Sequence, residues 1–326
     1  MQIDPTLRAL ADVTRLRIMR LLSTMELAVG ELAQVLGQSQ PRVSRHVKIL
    51  CDAGLAERRK EGAWVFLTMA IGEHRAPPLG AAVARLLAIA EQDDARFAAR
   101  CAEDRRHLAA IRAAREAAAA DYFAGHAAEW DSLRRLHGAD APVESALLAT
   151  LSEAPLGTLL DIGTGTGRVA ELLAPHAAHV TGLDMSPEML RIARARLQHL
   201  PAGQVSLVQG DFAALPFAQA SFDTVTFHQV LHYAQAPGPV LAEAARVLRP
   251  GGRIAVVDLA QHDREELRTE HAHARLGFSD EAMLDLFASA GFTADAPVAL
   301  PGDRLTVKIW TGRRTTVAVP SESTPA

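Results

Sequence analysis

The chain has 326 residues, of which 49% are hydrophobic and 22% are charged, and its formal net charge is −4 at pH 7. This length suits two domains with separate cores, and no apolar run reaches the roughly 18 residues that cross a bilayer. The start of the chain lacks a secretory signal and two cysteines cannot build a disulfide framework, so we expect a cytoplasmic protein without membrane contact.

Charge is distributed unevenly along the chain. Residues 1–75 contain 11 Lys and Arg against 8 Asp and Glu, whereas acidic residues exceed basic ones in the remainder. Because nucleic acids attract basic surfaces, we expect any contact with nucleic acid to lie in this first segment.

The first segment, 1–75, has the pattern helix, turn, helix, hairpin. The stretches TRLRIMRLL and VGELAQVL carry apolar residues at helical spacing, and Gly37 separates the second of them from SQPRVSRHVKILCDAG. The following LAERRKEGAWVFLTM predicts two short strands around a turn at Glu61 and Gly62. This order predicts a winged helix-turn-helix domain, mainly α-helical with a β-hairpin wing.

The helix within SQPRVSRHVKIL has one apolar face and several polar ones. Val43, Val47 and Leu50 fall at i, i+4 and i+7 and would face a core, so the polar side chains can enter a major groove about 12 Å wide. Basic residues at the hairpin would reach neighbouring phosphates. A small helical bundle with a solvated face is the alternative, but the order of the elements favours DNA binding. The predicted DNA contacts are Gln40, Arg42, Ser44, Arg45, His46, Lys48, Arg58, Arg59 and Lys60.

Over about residues 5–70, the LADVTRLRI opening, the SRHVKIL helix and the AGLAERRKEGAWVFL passage resemble the winged-helix domain of ArsR-type repressors. The resemblance implies a homodimer whose paired recognition helices meet double-stranded operator DNA, with dimer contacts from the first helix and the helix after the wing. The sequence departs from the family where metal would bind. Ala28 and Gly30 stand where many members have cysteines, and residues 77–106 contain no His, so we expect no metal site.

Residues 76–150 differ in composition, because 25 of these 75 residues are Ala. Ala has the highest helix propensity, so the pattern predicts long helices, which would serve as linker, dimer contact and lid. Tyr122, Phe123 and Trp130 stand near the end of this region. The last stretch of the chain, 314–326, is expected to be a disordered tail.

Residues 151–313 alternate strand-like apolar runs with helical stretches, which predicts a Rossmann-like α/β domain with a seven-stranded, mostly parallel sheet. Its opening, TLLDIGTGTGRVAELL, places Gly163, Gly165 and Gly167 after an apolar strand. Glycines at such a turn let the backbone approach a ligand closely. Gly165, Gly167 and Ala170 also match a G-x-G-x-x-A nicotinamide fingerprint, so a dinucleotide site is an alternative.

Three later motifs favour a different cofactor. Successive strands end in GLDMSP, in QGDFAALPF and in SFDTVTFHQVLHY, and VLRPGGRIAVVDL follows. Over about residues 120–312 this ordered set resembles the class I S-adenosylmethionine-dependent methyltransferases. By that resemblance Asp161 and the glycines cradle the methionine part, and Asp184 accepts the ribose hydroxyls. Asp211 and Phe212 would meet the adenine. The implied contacts to S-adenosylmethionine are Asp161, Gly163, Thr164, Gly165, Gly167, Asp184, Met185, Asp211, Phe212 and His228.

Methyl transfer needs an aligned nucleophile and exclusion of water, and it needs a base only where the nucleophile loses a proton. His228, His232 and Tyr233 follow the fourth strand, where a substrate would approach the sheet, and are the candidate catalytic residues. His228 is expected to hold cofactor rather than to act as the base. Tyr122 and Trp130 resemble the helix that covers the cofactor in this family, and ordinary aromatic packing is the alternative.

The sequence therefore predicts a DNA-binding transcriptional regulator fused to a methyltransferase that acts on a small molecule. Methylation of DNA is not expected, because the Asp/Asn-Pro-Pro-aromatic loop is missing and this domain contains no Cys. Two alternatives remain: a non-catalytic sensor of S-adenosylmethionine and S-adenosylhomocysteine, and an enzyme whose winged helix serves only dimerisation. The basic recognition helix and hairpin oppose the second alternative.

Overall fold

The computed structural model describes residues 3–61, 64–70, 79–130, 140–152 and 154–315. The chain divides into two compact units, Met1–Ala118 and Ala119–Ala326. Within the described ranges no helix is both long and apolar enough to cross a membrane. The predicted wing residue Gly62 and most of the predicted tail lie outside the described residues.

The first unit contains a helix-turn-helix, as the sequence predicts, followed by an antiparallel hairpin and two more helices. A two-residue strand, which the sequence did not predict, pairs with the second strand of the hairpin. The elements are α1 Ile3–Leu10, α2 Val13–Leu22, β1 Leu27–Ala28, α3 Val29–Leu36, α4 Gln40–Asp52, β2 Ala56–Glu61, β3 Trp64–Met69, α5 Leu79–Asp93 and α6 Ala95–His126.

Local capping sets the boundaries of these helices. Asp12 precedes α2, and its carboxylate accepts a hydrogen bond of 3.1 Å from the backbone N–H of Arg15. Gly37 ends α3 in the left-handed conformation, with φ 61°. Pro41 lies in the first turn of α4, where its missing N–H removes no intrahelical hydrogen bond. The turn between α3 and α4 is therefore encoded locally.

Helices α5 and α6 contribute to the core of the first unit. Val83 from α5 and Leu108 from α6 are buried in the same apolar cluster as the winged helix. Arg17 of α2 donates two hydrogen bonds, of 2.8 and 2.5 Å, to the buried carboxylate of Asp104 in α6. Helices α5 and α6 therefore use apolar and charged side chains to cover the core of the first unit.

The second unit is an α/β domain, as predicted. Each predicted strand of its sheet is present. The elements are α7 Asp140–Leu151, β4 Thr158–Ile162, α8 Arg168–Leu173, β5 His179–Asp184, α9 Pro187–Leu197, β6 Val205–Gln209, β7 Phe222–His228, α10 Pro237–Val247, β8 Leu248–Leu259, α11 Glu266–Glu270, α12 Asp280–Ser289, β9 Phe292–Ala294, β10 Val298–Pro301 and β11 Thr306–Arg314. Helices connect β4 to β5, β5 to β6 and β7 to β8.

The sheet has the order β10-β11-β8-β7-β4-β5-β6, and β9 pairs with β11. Strands β4 to β8 are parallel to their neighbours, and β11 is antiparallel to β8. From β4 the chain moves outward to β5 and β6, then returns to place β7 on the other side of β4. The connections therefore diverge between β4 and β7, which is the place where open α/β sheets form a ligand crevice.

The sheet contains eight strands among the described residues, so the predicted count of seven is wrong by one. The stretch GFTADAPVAL forms two short strands, β9 and β10, which pair with the two halves of β11. Gly312 pairs with Ile254 on one side and with Ala294 on the other, so β9 and β10 share the outer edge of β11. Pro297, which has no N–H to donate, lies between them and interrupts the edge.

Both faces of the sheet are buried. Alternate residues of β8 enter two different apolar clusters, with Ile254 and Val256 in one and Ala255 and Val257 in the other. Helices α10 and α12 cover the first face, and α7, α8 and α9 cover the second. The near-continuous apolar strands of the sequence are explained by this three-layer packing.

Candidate functional sites

A cavity of about 260 Å³ opens at the carboxyl ends of β4, β5 and β7, beside the point where the connections diverge. Several residues that the sequence predicted as cofactor or catalytic residues line it: Gly163, Gly165, Asp184, Met185, Phe212, His228 and Tyr233. The other predicted residues of this group, Asp161, Thr164, Gly167, Asp211 and His232, do not line it. Sequence and structure thus agree on the place, and the structure separates the residues that face the cavity from those around it.

Glycine is required in the loop after β4. Gly163 has φ 70°, and a Cβ atom there would collide with the side chain of Val230, which follows β7. Gly165 has φ 54°, and a Cβ atom there would lie 3.6 Å from the indole Nε1 of Trp130. Gly167, with φ 81°, begins α8 and packs against Ala193 of α9. The loop therefore presents backbone to the cavity and leaves room for a ligand.

Asp184 at the end of β5 ties this loop to the next one. Its carboxylate accepts hydrogen bonds from the backbone N–H groups of Gly165 at 2.8 Å and of Ser186 at 2.9 Å. Burial raises the pKa of Asp184, and the backbone N–H groups of Ser186, Gly165 and Met185 oppose that rise. The side chain is only partly buried and reaches the cavity, so its oxygens can also accept hydrogen bonds from a ligand.

Asp161 lies behind the loop and not in the cavity. It is 1% exposed, and one carboxylate oxygen accepts a hydrogen bond of 2.9 Å from the hydroxyl of Thr226. Burial raises the pKa of Asp161 to about 6, against the lowering effect of the hydroxyls of Thr164 and Thr226. Its position in the core makes it a support for the glycine loop.

The loop after β6 contributes a ring and a backbone segment. Phe212 and Gly210 line the cavity, but Asp211 is exposed and its carboxylate accepts a hydrogen bond of 2.8 Å from the N–H of Ala213. Asp211 therefore lies at the rim in this structure.

The segment after β7 brings three neighbouring residues to the cavity, His228, Gln229 and Val230. Gln229 has φ 53°, a conformation that costs on the order of 1 kcal/mol or more for a residue other than glycine. Its N–H donates to the carbonyl of Val257 at 2.7 Å, which fixes this turn against β8. Sequence inspection missed Gln229 and Val230. The segment after β7 packs against the loop at Gly163, and these two segments are distant in the chain.

His232 is fully buried beneath the cavity. Its Nδ1 atom lies 2.6 Å from Oδ1 of Asp258, and its backbone N–H donates to Oδ2 of Asp258 at 3.1 Å. Both side chains are 0% exposed. His232 thus does not meet a ligand directly in this structure, although it was a candidate catalytic residue. Sequence inspection did not identify Asp258, which ends VLRPGGRIAVVD and was assigned only to a strand.

Three aromatic rings form one wall of the cavity. The ring centroid of Phe123 lies 5.3 Å from that of Trp130 and 4.8 Å from that of Tyr233, with edge-to-face geometry in both pairs. Tyr122 does not line the cavity, and its hydroxyl lies 2.8 Å from Nδ1 of His271. Of the two predicted lid residues, Trp130 faces the cavity and Tyr122 is held by a neighbouring segment.

The first unit exposes most of the predicted DNA contacts. On the recognition helix Arg45 and Lys48 are exposed, and Val43, Val47 and Leu50 are buried as predicted. His46 lies 3.7 Å from Asp12, and Arg59 pairs with Glu26 at 3.1 Å, so these two predicted contacts also interact within the unit. The other predicted contacts Gln40, Arg42, Ser44, Arg58 and Lys60 are exposed. No group of three metal-ligating side chains occurs among the residues the structure describes.

Two family models match the chain. A model described as a methyltransferase domain matches residues 160–256, and a model of bacterial regulatory proteins of the arsR family matches residues 12–58. The first match covers β4 to most of β8, and the second covers α2 to the start of the hairpin.

The chain is also similar to curated methyltransferases. It is 33% identical to malonyl-acyl-carrier-protein O-methyltransferase of Herminiimonas arsenicoxydans over 178 residues, 52% of this chain and 64% of that protein. It is 40% identical to demethylmenaquinone methyltransferase of Tropheryma whipplei over 106 residues, 32% of this chain and 43% of that protein. The matched region therefore spans less than two thirds of each relative.

A solved structure shares the fold of the second unit. A chain in the complex that contains the Haloferax volcanii Trm112 methyltransferase activator aligns with a TM-score of 0.51 and 23% identity, over 60% of this chain and 98% of its own length. The residues, the sheet and these matches together lead to one conclusion. The chain joins a helix-turn-helix segment of the ArsR family to a class I methyltransferase domain whose cofactor is S-adenosylmethionine.

Proposed function

We propose that the protein is a transcriptional regulator that binds operator DNA through its winged helix and transfers a methyl group from S-adenosylmethionine to a small molecule. The observation that carries the enzymatic half is the cavity at the carboxyl ends of β4, β5 and β7, which backbone glycines, a carboxylate and aromatic rings line together. Such a crevice is where doubly wound sheets bind nucleotide-like ligands.

The residues present fit S-adenosylmethionine. Residue 163 is glycine, and a Cβ atom there would collide with Val230. The absence of a side chain therefore leaves room in the loop for the methionine part. Asp184, whose carboxylate reaches the cavity, is proposed to accept both ribose hydroxyls. Phe212 is proposed to lie against the adenine. Asp211, at the rim, is proposed to accept a hydrogen bond from the adenine amino group. Asp161, Thr164 and Gly167 would act indirectly, by holding the loop and the start of α8.

Bound S-adenosylmethionine would supply an electrophilic methyl group, which the nucleophilic atom of the acceptor would take as the carbon–sulfur bond breaks to give S-adenosylhomocysteine. Phe123 and Trp130 would exclude water from the sulfonium and align the acceptor. If the acceptor must lose a proton, His228, although expected to hold cofactor, is the predicted catalytic histidine that lines the cavity. By their names the two curated relatives act on a demethylmenaquinone and on a malonyl carrier, and the first of these supports a small-molecule acceptor here.

A non-catalytic sensor of S-adenosylmethionine and S-adenosylhomocysteine is the second candidate. Burial raises the pKa of Tyr233 well above its ordinary value, with a further rise from Tyr122 and Asp258, so its phenol stays protonated. His232 is fully buried and does not line the cavity. Of the three candidate catalytic residues, only His228 both lines the cavity and can accept a proton. This small number of candidate bases favours a domain that binds S-adenosylmethionine without methyl transfer.

A homodimer is proposed for the DNA-bound form. Leu7 of α1 and Leu86 and Ile89 of α5 are large apolar side chains that are 59%, 57% and 50% exposed. Leu86 and Ile89 lie three residues apart and share one face of α5. An apolar stripe on the first helix and on the helix after the wing supports pairing of two copies through these helices.

Helix α6 contributes residues to two sets of contacts. Arg115 donates a hydrogen bond of 2.8 Å to the buried carboxylate of Glu31 in α3, and Phe123 lines the cavity. We propose that this helix links cofactor occupancy to DNA affinity.

The test is a titration of S-adenosylmethionine into the full chain, followed by incubation with fractionated cell metabolites and measurement of S-adenosylhomocysteine. Methyl transfer supports the enzyme, whereas binding without product from any fraction supports the sensor. Operator DNA selected from a random library then measures the coupling. Equal DNA affinity with and without cofactor would remove the proposed link.

A further inference from the structure

Tyr233 is placed differently from the other two candidate catalytic residues. It lines the cavity, and its ring lies within 6.3 Å, centroid to centroid, of Phe123 and Trp130 on the wall. A phenol that stays protonated is a donor, so this group can donate to an atom of whatever occupies the neighbouring space.

Two imidazole rings also pack against the ring of Tyr233. The imidazole of His232 lies 4.1 Å from it and that of His273 lies 5.2 Å from it, centroid to centroid. Asp258 in turn fixes His232 through two hydrogen bonds, one to the ring and one to the backbone N–H. A buried, hydrogen-bonded pair of this kind restricts the rotamers of the residue packed on it.

The charge of the cavity restricts what can bind beside Tyr233. Asp121, Asp184 and Glu188 line it, and no Lys or Arg of the described residues does. An anionic group entering this space would meet these like charges, which disfavours it when water is excluded. The aromatic wall adds a flat apolar surface that suits a ring system.

Resting on the proposed methyl transfer, we infer that the acceptor is an uncharged aromatic molecule. It would lie against Phe123 and Trp130 and receive a hydrogen bond from the Tyr233 hydroxyl on one of its oxygens. Asp258 and His232 are positioning residues, since they act through Tyr233. Acceptors that carry a carboxylate or phosphate at this end are excluded by the same geometry.

The test uses three small probes of one shape: 4-methylphenol, which offers an oxygen, toluene, which does not, and 4-methylbenzoate, which is an anion. Their affinities for the full chain saturated with S-adenosylhomocysteine are measured by ligand-observed NMR. One hydrogen bond should make 4-methylphenol bind about 3- to 10-fold more tightly than toluene. The anion should bind at least about 10-fold more weakly than 4-methylphenol.

The variant Tyr233→Phe removes only the hydroxyl. It should abolish the preference for 4-methylphenol and leave the affinities for toluene and S-adenosylhomocysteine unchanged. Asp258→Ala should reduce the preference, and Asp258→Asn, whose side-chain oxygen can still accept from His232, should restore it. The asparagine and phenylalanine variants keep the test valid if the alanine variant fails to fold.

The outcomes separate this inference from the proposed function. If S-adenosylhomocysteine does not bind, the proposed function fails. If it binds but 4-methylphenol does not, or if the wild-type protein fails to prefer 4-methylphenol over toluene, the inference about the acceptor is wrong and the cofactor site stands. Equal or tighter binding of 4-methylbenzoate, or a preference that survives in Tyr233→Phe, would also overturn it.

Discussion

The carboxylate of Asp184 accepts a hydrogen bond of 2.8 Å from the backbone N–H of Gly165, which joins the end of β5 to the glycine loop after β4. The same carboxylate accepts from Ser186 and still reaches the cavity. One side chain therefore fixes two neighbouring loops and presents oxygens to a ligand.

Asp184→Asn should weaken the binding of S-adenosylmethionine at least about 10-fold. The amide nitrogen would face a backbone N–H donor, and the ribose hydroxyls would lose an ionised acceptor. Isothermal calorimetry measures the affinity. Asp223→Asn is the matched control. Asp223 is the second residue of β7, at the edge of the sheet opposite the cavity, and it accepts a hydrogen bond of 2.8 Å from the backbone N–H of Thr158. An unchanged affinity in Asp184→Asn would contradict the proposed ribose contact.

Gly163→Ala should lower the stability of the second unit by roughly 1–3 kcal/mol, because the new Cβ meets Val230 and the residue has positive φ. Adding Val230→Ala should recover only the steric part. Chemical denaturation of both variants measures this coupling. Equal stability of Gly163→Ala and the wild-type protein would show that the loop relaxes at no cost.

The buried carboxyl of Asp161 predicts a pH dependence of stability. Its pKa in the folded state is raised from 3.8 to about 6, so its favourable contribution is present below pH 4 and is lost as the pH rises through 6. The loss is on the order of 3 kcal/mol at neutral pH. As the pH rises from 4 to 7, the free energy of unfolding of Asp161→Asn should therefore increase relative to that of the wild-type protein.

Asp223 supplies a control of opposite sign. Burial acts to raise its pKa, but the hydrogen bonds from Arg249 and Thr158 lower it overall. Its contribution to stability is present above the ordinary pKa of an aspartate and is lost as the pH falls. If the stability difference between Asp161→Asn and the wild-type protein does not change with pH, Asp161 is not a buried carboxylate of raised pKa.

Binding of operator DNA should depend on Arg45 and Lys48, which are exposed on the recognition helix. Arg45→Ala and Lys48→Ala should weaken binding about 5- to 100-fold, and a residue that neutralises a phosphate should reduce the salt slope by about 1. Arg59→Ala is the informative comparison, because Arg59 pairs with Glu26 and should affect stability more than DNA. Fluorescence anisotropy over a salt series decides between them. Wild-type affinity in the double variant of Arg45 and Lys48 would refute the groove-reading role.

The apolar stripe on α5 predicts the oligomeric state. Leu86→Glu and Ile89→Glu should convert a dimer into monomers, since each places a charge in an apolar contact. Light scattering during size exclusion measures the mass. A dimer that persists in both glutamate variants would place the contact elsewhere.

Sequence motifs predicted the helix-turn-helix, the order of the strands and the carboxyl-end location of the cavity. These features rest on local signals: apolar periodicity, glycines after a strand, and acids at strand ends. Gly163, Gly165 and Asp184 were found in this way, and each lines the cavity. The family resemblance supplied the cofactor, because the glycines alone also match a nicotinamide fingerprint.

Other features depend on residues far apart in the chain, and no local sequence pattern predicts them. Asp258 and His232 meet only because β8 lies beside the segment after β7. The burial of Asp104 against Arg17, which joins α6 to the winged helix, likewise required the fold. The eighth strand arises because the stretch GFTADAPVAL forms two short strands, β9 and β10, which pair with different parts of β11.

The most direct test is calorimetry of the full chain with S-adenosylmethionine, S-adenosylhomocysteine and nicotinamide dinucleotide. We expect saturable binding of both adenosyl compounds at one site per chain and none of the dinucleotide. Heat from the dinucleotide, with none from either adenosyl compound, would mean that the cavity beside Asp184 serves a different chemistry.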